Sequence, residues 1–276
     1  MSLPLIRQRL ALLSLEIPAF FARWGHFSKD SITEKSPFDF VTEADLRIEE
    51  ALAAHIHAHF PEDGILGEEN GTKGGQNGFV WTLDPIDGSC NLASGLPFYG
   101  VQVALRRDGV TEAAVIYLPV FGKLYTALRG EGAFLDGRPL RVNPPTLSRA
   151  IVSFGDFPHH KRPREAFAEH KIQARLGTRI SKIRMFGAAC FDFAALAEGQ
   201  TGGTVIFTRN LWDLAPGILL AKEAGAQVYG LRDGRIVPYT EDSPVVLAAA
   251  GEELLSCLKD CCADLWQLLQ TDPAAE

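Results

Sequence analysis

Residues 79 to 83, Phe-Val-Trp-Thr-Leu, form an apolar run that stops on Asp84. Pro85 and Ile86 follow, then Asp87-Gly88-Ser89. The run reads as a buried strand, and Pro85 fixes the turn that ends it. A carboxylate at the end of a buried strand is costly unless it is paired or bound to metal. Two of them on either side of a rigid turn converge, with the carbonyl of Ile86 between them as a third oxygen. Hard oxygens on a short turn suit Mg²⁺, which takes few carboxylates, keeps waters and completes its octahedron on a phosphate. Gly88 and Ser89 then present backbone N–H groups at the start of a helix-like segment, a seat for phosphoryl oxygens.

Two further acidic clusters lie at strand ends. Gly67-Glu68-Glu69-Asn70 follows the short run Gly64-Ile65-Leu66-Gly67, and Asn210-Leu211-Trp212-Asp213 opens the helical stretch LAPGILLAKEAGA. There Pro216 suits a first turn and Gly225 a C-terminal cap. Taken alone, Glu68 and Glu69 read equally as a solvated turn, Asp213 as an N-cap, and Asp45 as the partner of Thr42 in a capping box.

Residues 4–26 predict an apolar helix broken at Pro18, and 43–59 an amphipathic helix with Leu46, Ile48, Leu52 and Ile56 inward. Strands are expected at 79–83, 99–106, 110–118 and 123–128, with turns at Asp108-Gly109 and Asp136-Gly137. Beyond Asn143-Pro144-Pro145 the texture becomes α/β. Strands at 150–154, 203–207, 226–229 and 244–249 alternate with helices at about 161–175, 187–199 and 213–224. The proline pair marks the expected boundary between an α+β domain, 1–145, and an α/β domain, 146–276. The segment GEELLSCLKDCCADLWQLL reads as one helix whose cysteines serve as small apolar residues.

A formal net charge of −7 argues against a nucleic-acid binder, and an acidic protein with an anionic substrate needs a cation between the two. No apolar run approaches membrane-spanning length, and no export signal is evident, which predicts a cytoplasmic protein with reduced thiols. His55, His57 and His59 read as a solvated helix end, and His159-His160-Lys161-Arg162 as a solvated basic loop.

The motifs Glu68-Glu69, Asp84-Pro85-Ile86-Asp87-Gly88-Ser89-Cys90-Asn91, Trp212-Asp213 and Glu223-Ala224-Gly225 together resemble the inositol monophosphatase family. Asp39 to Asp45 and Gly130 to Phe134 add to the likeness, which covers about residues 35–250. It implies an α-β-α-β-α layered sandwich, a homodimer, and a lithium-sensitive phosphatase that uses two or three Mg²⁺ ions on a small phosphorylated substrate. By the resemblance, Glu68, Asp84, Asp87, Asp213 and the Ile86 carbonyl are metal ligands, and Asp45 and Ser89 orient the attacking water. Gly88 and Ser89 bind phosphate. Lys35 matches a loop lysine. Ile206 stands where inositol-specific members carry a glutamate, and Ala188 where a hydroxyl residue is common. The resemblance implies inositol monophosphate as the first substrate, and these changes imply weaker selection for it among small monoesters. A histidinol-phosphate phosphatase or a broad-specificity sugar/polyol phosphatase is the alternative, and a non-catalytic binding relative is a third reading.

Overall fold

A computed structural model of the 276-residue chain describes residues 3–24, 33–36, 39–41, 43–156 and 162–270. The first half runs α1 (Leu3–Trp24), β1 (Thr33–Ser36), β2 (Asp39–Val41), α2 (Glu43–His59), β3 (Gly64–Gly67), β4 (Gly71–Lys73), β5 (Phe79–Asp87), α3 (Ser89–Ser94), β6 (Gly100–Arg107), β7 (Val110–Leu118), β8 (Lys123–Leu128), β9 (Gly132–Leu135) and β10 (Arg138–Pro139). The second runs β11 (Ile151–Phe154), α4 (Pro163–Leu176), β12 (Lys182–Met185), α5 (Ala189–Ala197), β13 (Gly203–Ile206), α6 (Leu211–Glu223), β14 (Gln227–Arg232), β15 (Arg235–Pro238), β16 (Val246–Ala249), α7 (Glu252–Cys261) and α8 (Leu265–Gln270).

β3 to β10 form one sheet in the order β10-β9-β8-β7-β6-β5-β3-β4, antiparallel except where β3 runs parallel to β5. β11 to β16 form a mixed sheet in the order β12-β11-β13-β16-β14-β15. Side chains alternate across a strand, so each sheet offers two faces. On β6 and β7, Val101, Val103, Leu105, Ala113 and Val115 pack with Leu13, Ile48 and Leu52 of α1 and α2. Ala114, Ile116 and Leu118 take the other face and meet Cys190, Ala194, Leu219 and Leu220 of α5 and α6. Those two helices use their opposite sides on the second sheet, where Phe193, Leu214 and Ile218 meet Val228, Val246 and Ala248. That sheet's far face buries Ile172, Leu255, Leu258 and Leu265 of α4, α7 and α8. The result is the five-layer α-β-α-β-α sandwich. Sheets covered on both faces account for the near-continuous apolar strands.

A buried network fixes α1 and the start of β5. Arg9 donates from Nε and Nη2 to both oxygens of Asp63, each at 2.9 Å. Trp81 Nε1 and Asn77 Nδ2 donate to the same carboxylate at 2.9 and 2.7 Å. Burial alone raises the Asp63 pKa, but these donors hold it below the ordinary range.

Several expectations are corrected. α1 runs through Pro18 without a break, because Leu13 and Ile17 are buried on the sheet on either side of the lost N–H bond. Leu46 is 40% exposed and lies outside the core face of α2. Pro216 is the sixth residue of α6, which begins at Leu211 after Asn210 as N-cap. The C-terminal segment is two helices, with Cys262 as the C-cap of the first. Cys257, Cys261 and Cys262 are buried there as apolar residues. Thr42 and His159–Lys161 lie outside the described residues. Lys35 falls within β1. Among the described residues no helix is long and apolar enough to cross a membrane.

Candidate metal-binding active site

Residues three apart on a regular strand point to opposite faces. Asp84 and Asp87 escape that rule through a β-bulge. Asp84 pairs with Gln102 and Asp87 with Gly100, so three steps on β5 match two on β6. The extra residue falls at Pro85-Ile86, where a missing N–H costs no ladder bond. Leu83 and Ile86 both bury their side chains toward α1 and α2. Asp84 and Asp87 line one cleft of about 230 Å³ on the other face, and with its side chain in the core Ile86 reaches that cleft through its main chain.

Glu68, at the end of β3, and Asp213, in the first turn of α6, line the same cleft. Glu68, Asp84 and Asp213 each offer an oxygen within 4.8 Å of the others. The turn bearing Glu68 is held from behind. Buried Glu49 of α2 accepts from the Glu69 and Asn70 amides at 2.9 and 2.8 Å. A Cβ on Gly67 would lie 2.3 Å from that carboxylate, so glycine lets the Glu49 side chain close on the turn. Asp87 Oδ2 accepts from Gln102 Nε2 at 2.8 Å and from the Cys190 amide at the start of α5. Gln102 also donates to the Asp213 carbonyl at 3.0 Å, which ties β6 to α6. Asp213 Oδ2 accepts from Asn210 Nδ2 at 3.1 Å and Thr208 Oγ1 at 3.3 Å.

Carboxylates that share one cleft raise one another's pKa values. Burial, then Glu68, Asp87 and Asp213, push Asp84 well above the carboxylate range. Burial lifts Asp87 to about 6 against the hydrogen bonds from Cys190. Burial and the Asp87 charge lift Asp213 to about 7. Asp84 Oδ1 is buried and has no hydrogen-bond partner. An unpaired oxygen among clustered acids is a donor set for a hard cation.

Gly88 and Ser89 line the cleft, with Gly88 at φ 90° as the N-cap of α3. A Cβ there would lie 2.8 Å from the Phe98 carbonyl. Ala188 and Ile206 form an apolar wall. Asp45 is buried in the first turn of α2 and is not among the residues lining the cleft. Asp156, Arg162, Phe207, Thr208 and Asn210 complete the walls. Of the residues that sequence reading missed, Glu49 and Gln102 left a signal. Glu49 sits one turn beyond Asp45, and Gln102 is a lone polar residue inside Gly-Val-Gln-Val-Ala-Leu. Asp156 lies in loop sequence with no periodicity to mark it, and Arg162, expected in a solvated basic loop, instead lines the cleft and donates to Glu165 at 2.9 Å.

The model of the inositol monophosphatase family matches residues 18–269. Inositol-1-monophosphatase ImpA of Mycolicibacterium smegmatis is 36% identical over 240 residues, 85% of each chain. The crystal structure of the extragenic suppressor protein suhB from Bartonella henselae superposes with a TM-score of 0.82 at 28% identity, covering 93% of this chain and 97% of that one. A crystal structure of an IMPase/NADP phosphatase complexed with Mg²⁺ and phosphate aligns with a TM-score of 0.71 at 26% identity, covering 93% of each chain.

Proposed function

The chain belongs to the inositol monophosphatase family, and on that premise we propose that it hydrolyses small phosphate monoesters, inositol monophosphate among them, with Mg²⁺ held at Glu68, Asp84, Asp87, Asp213 and the Ile86 carbonyl. The observation that carries the reading is the unpartnered, buried Asp84 Oδ1 in a carboxylate that offers an oxygen within 4.8 Å of Glu68 and Asp213. Two or three ions suit a cleft with four carboxylates. Bound there, Mg²⁺ supplies a water of lowered pKa and neutralises charge on the leaving oxygen.

The protein's own groups do the rest. Gln102 and the Cys190 amide fix the rotamer of Asp87, and Asn210 and Thr208 fix that of Asp213. Fixed ligands keep the donor set preorganised. Gly88 and Ser89 face the cleft and are assigned to the phosphoryl oxygens. Ser89 and Asp45 are assigned to orienting the attacking water, a role that requires Asp45 to act from beneath the cleft wall. Cys90 is exposed and needs no covalent role. A seam at residue 145 would leave Glu68, Asp84 and Asp87 in the first domain and Asp213, with the selecting wall, in the second. Five free thiols support a cytoplasmic location.

Selectivity falls to Ile206, Ala188, Phe207 and Asp156. A site that hydrogen-bonds a substrate hydroxyl rejects analogues by about 10⁴-fold, and an apolar wall does not. Inositol 1-phosphate, histidinol phosphate, glycerol 2-phosphate and fructose 1,6-bisphosphate, assayed with Mg²⁺ and again in EDTA, test the reading. Comparable kcat/KM values that vanish in EDTA are expected, and Ile206→Glu should raise the relative value for inositol 1-phosphate. Hydrolysis that survives EDTA would end the metal assignment. Asp156, a carboxylate on the same cleft wall outside the assigned ligand set, favours histidinol phosphate as second reading, and a hundredfold preference for it would establish that reading.

We further propose a homodimer. Leu96, Val120, Phe121 and Met185 are 40–51% exposed, beside the packed rings of Phe98, Phe186 and Phe191. Exposed apolar surface of this kind marks an interface. Sedimentation velocity should give a dimer that Phe121→Glu with Met185→Glu converts to monomer. A monomeric wild type would refute it.

A further inference from the structure

A second cleft opens on the side of α6, between the ends of the two sheets, and shares no lining residue with the acidic one. Its volume is about 190 Å³. Val110 from β7 and Leu211, Ala215 and Ile218 from one side of α6 give it an apolar floor. Arg129, Lys222 and Tyr239 stand among its polar groups, with Thr111, Thr240 and Glu241.

The charge here is unbalanced. Lys222 has no carboxylate partner among the described residues, and the charge it feels is that of Arg129. Partial burial, then that like charge, pull the Lys222 ammonium below its usual pKa. Arg129 donates Nε and Nη2 to one carbonyl, that of Thr111, and pairs loosely with Glu112 at 3.7 Å, which leaves Nη1 for a ligand. Tyr239 Oη is buried with no hydrogen-bond partner. Burial raises its pKa to about 12, so it stays a donor at neutral pH. Three donors thus stand around an apolar floor, and the one carboxylate in the lining, Glu241, is bound by Arg106.

We propose that this cleft binds a small organic anion, with its charged head between Arg129 and Lys222 and its apolar body on Val110, Leu211, Ala215 and Ile218. The anion relieves the repulsion between the two cations and gives Tyr239 its acceptor. A head without a body forgoes the floor, and a body without charge leaves the donors unmet. The volume excludes nucleotides and other ligands of drug size, which need about 300 Å³ or more.

Isothermal titration calorimetry tests this on the full chain with sodium benzoate as probe. Mg²⁺ and saturating inorganic phosphate are present throughout to fill the acidic cleft. Saturable one-to-one binding at millimolar benzoate is expected. Lys222→Met and Arg129→Met should each weaken it by about tenfold, the value of one charge-assisted contact. Tyr239→Phe should weaken it less, and benzyl alcohol should not bind. Asp84→Asn should leave benzoate binding unchanged, whatever it does to hydrolysis. The proposal is overturned by the absence of saturable benzoate binding, by unaltered affinity in Lys222→Met with melting temperature intact, by equal binding of benzyl alcohol, or by loss of binding in Asp84→Asn.

Discussion

Asp84→Asn is expected to lower kcat by about a thousandfold or more at saturating Mg²⁺, with the fold intact. The substitution keeps shape and removes one of the negative charges that gather the cations. Transition-state charge stabilisation by a metal is worth several kcal/mol, and each 1.4 kcal/mol is about tenfold in rate. Asp84 stands at the centre of the set, since its carboxylate feels Glu68, Asp87 and Asp213 together. The same change should raise the melting temperature of the metal-free protein, because it deletes a buried charge held among like charges. Single-turnover kinetics and thermal unfolding in EDTA read the two effects separately. Turnover near wild type would remove Asp84 from the cation site. A lower melting temperature in EDTA would mean that its carboxylate makes a stabilising contact.

The second large effect is on stability against pH without metal. Asp87 and Asp213 have pKa values raised to about 6 and about 7, and Asp84 is raised too. All lie above the unfolded value of about 3.9. Folding therefore takes up protons between pH 8 and 4, so the metal-free protein gains stability as pH falls through 7 and 6. The gain levels off near pH 4, where both states are protonated. Glu169, raised to about 8 by burial and Asp156, acts in the same direction. His55, lowered by burial and His59, opposes it below pH 6.5. Asp87 and Asp213 touch the water of an open cleft, so the net gain is on the order of 3 kcal/mol rather than the larger figure that full burial implies. Guanidinium unfolding in EDTA at pH 8, 7, 6 and 5 measures it, and the double variant Asp87→Asn, Asp213→Asn should flatten the slope. Stability that is constant or falling from pH 8 to 5.5 in wild type would contradict these values. Saturating Mg²⁺ should remove the part of the rise due to the cleft carboxylates, since the ligands must then stay ionised, and leave the part due to Glu169.

The layered fold and the acidic clusters were legible because each leaves a local mark. Buried strands read as apolar runs, and an acid at the end of such a run violates the pattern around it. The device that brings Asp84 and Asp87 together was only half legible. Pro85 announces a turn, but a bulge is a mismatch of count between two strands, and β5 alone does not reveal how many residues of β6 it faces. Partners across long separations were hidden for the same reason. Nothing near Glu49 names Asn70 as its contact, and nothing near Gln102 names Asp213. Pro18 and Leu46 misled because local rules were applied where packing decides.

The bulged turn and the apolar wall belong to different sheets. Asp84 and Asp87 end a strand of the first, and Ile206 ends a strand of the second. On the proposed reading, substitutions at Ile206 reshape the wall and leave the ligand-bearing strand untouched, so new specificities lie a few mutations away. A lineage with the proposed activity can then drift among phosphorylated metabolites while its acidic turn stays fixed, and paralogues should differ at position 206 long before they differ at 84 or 87.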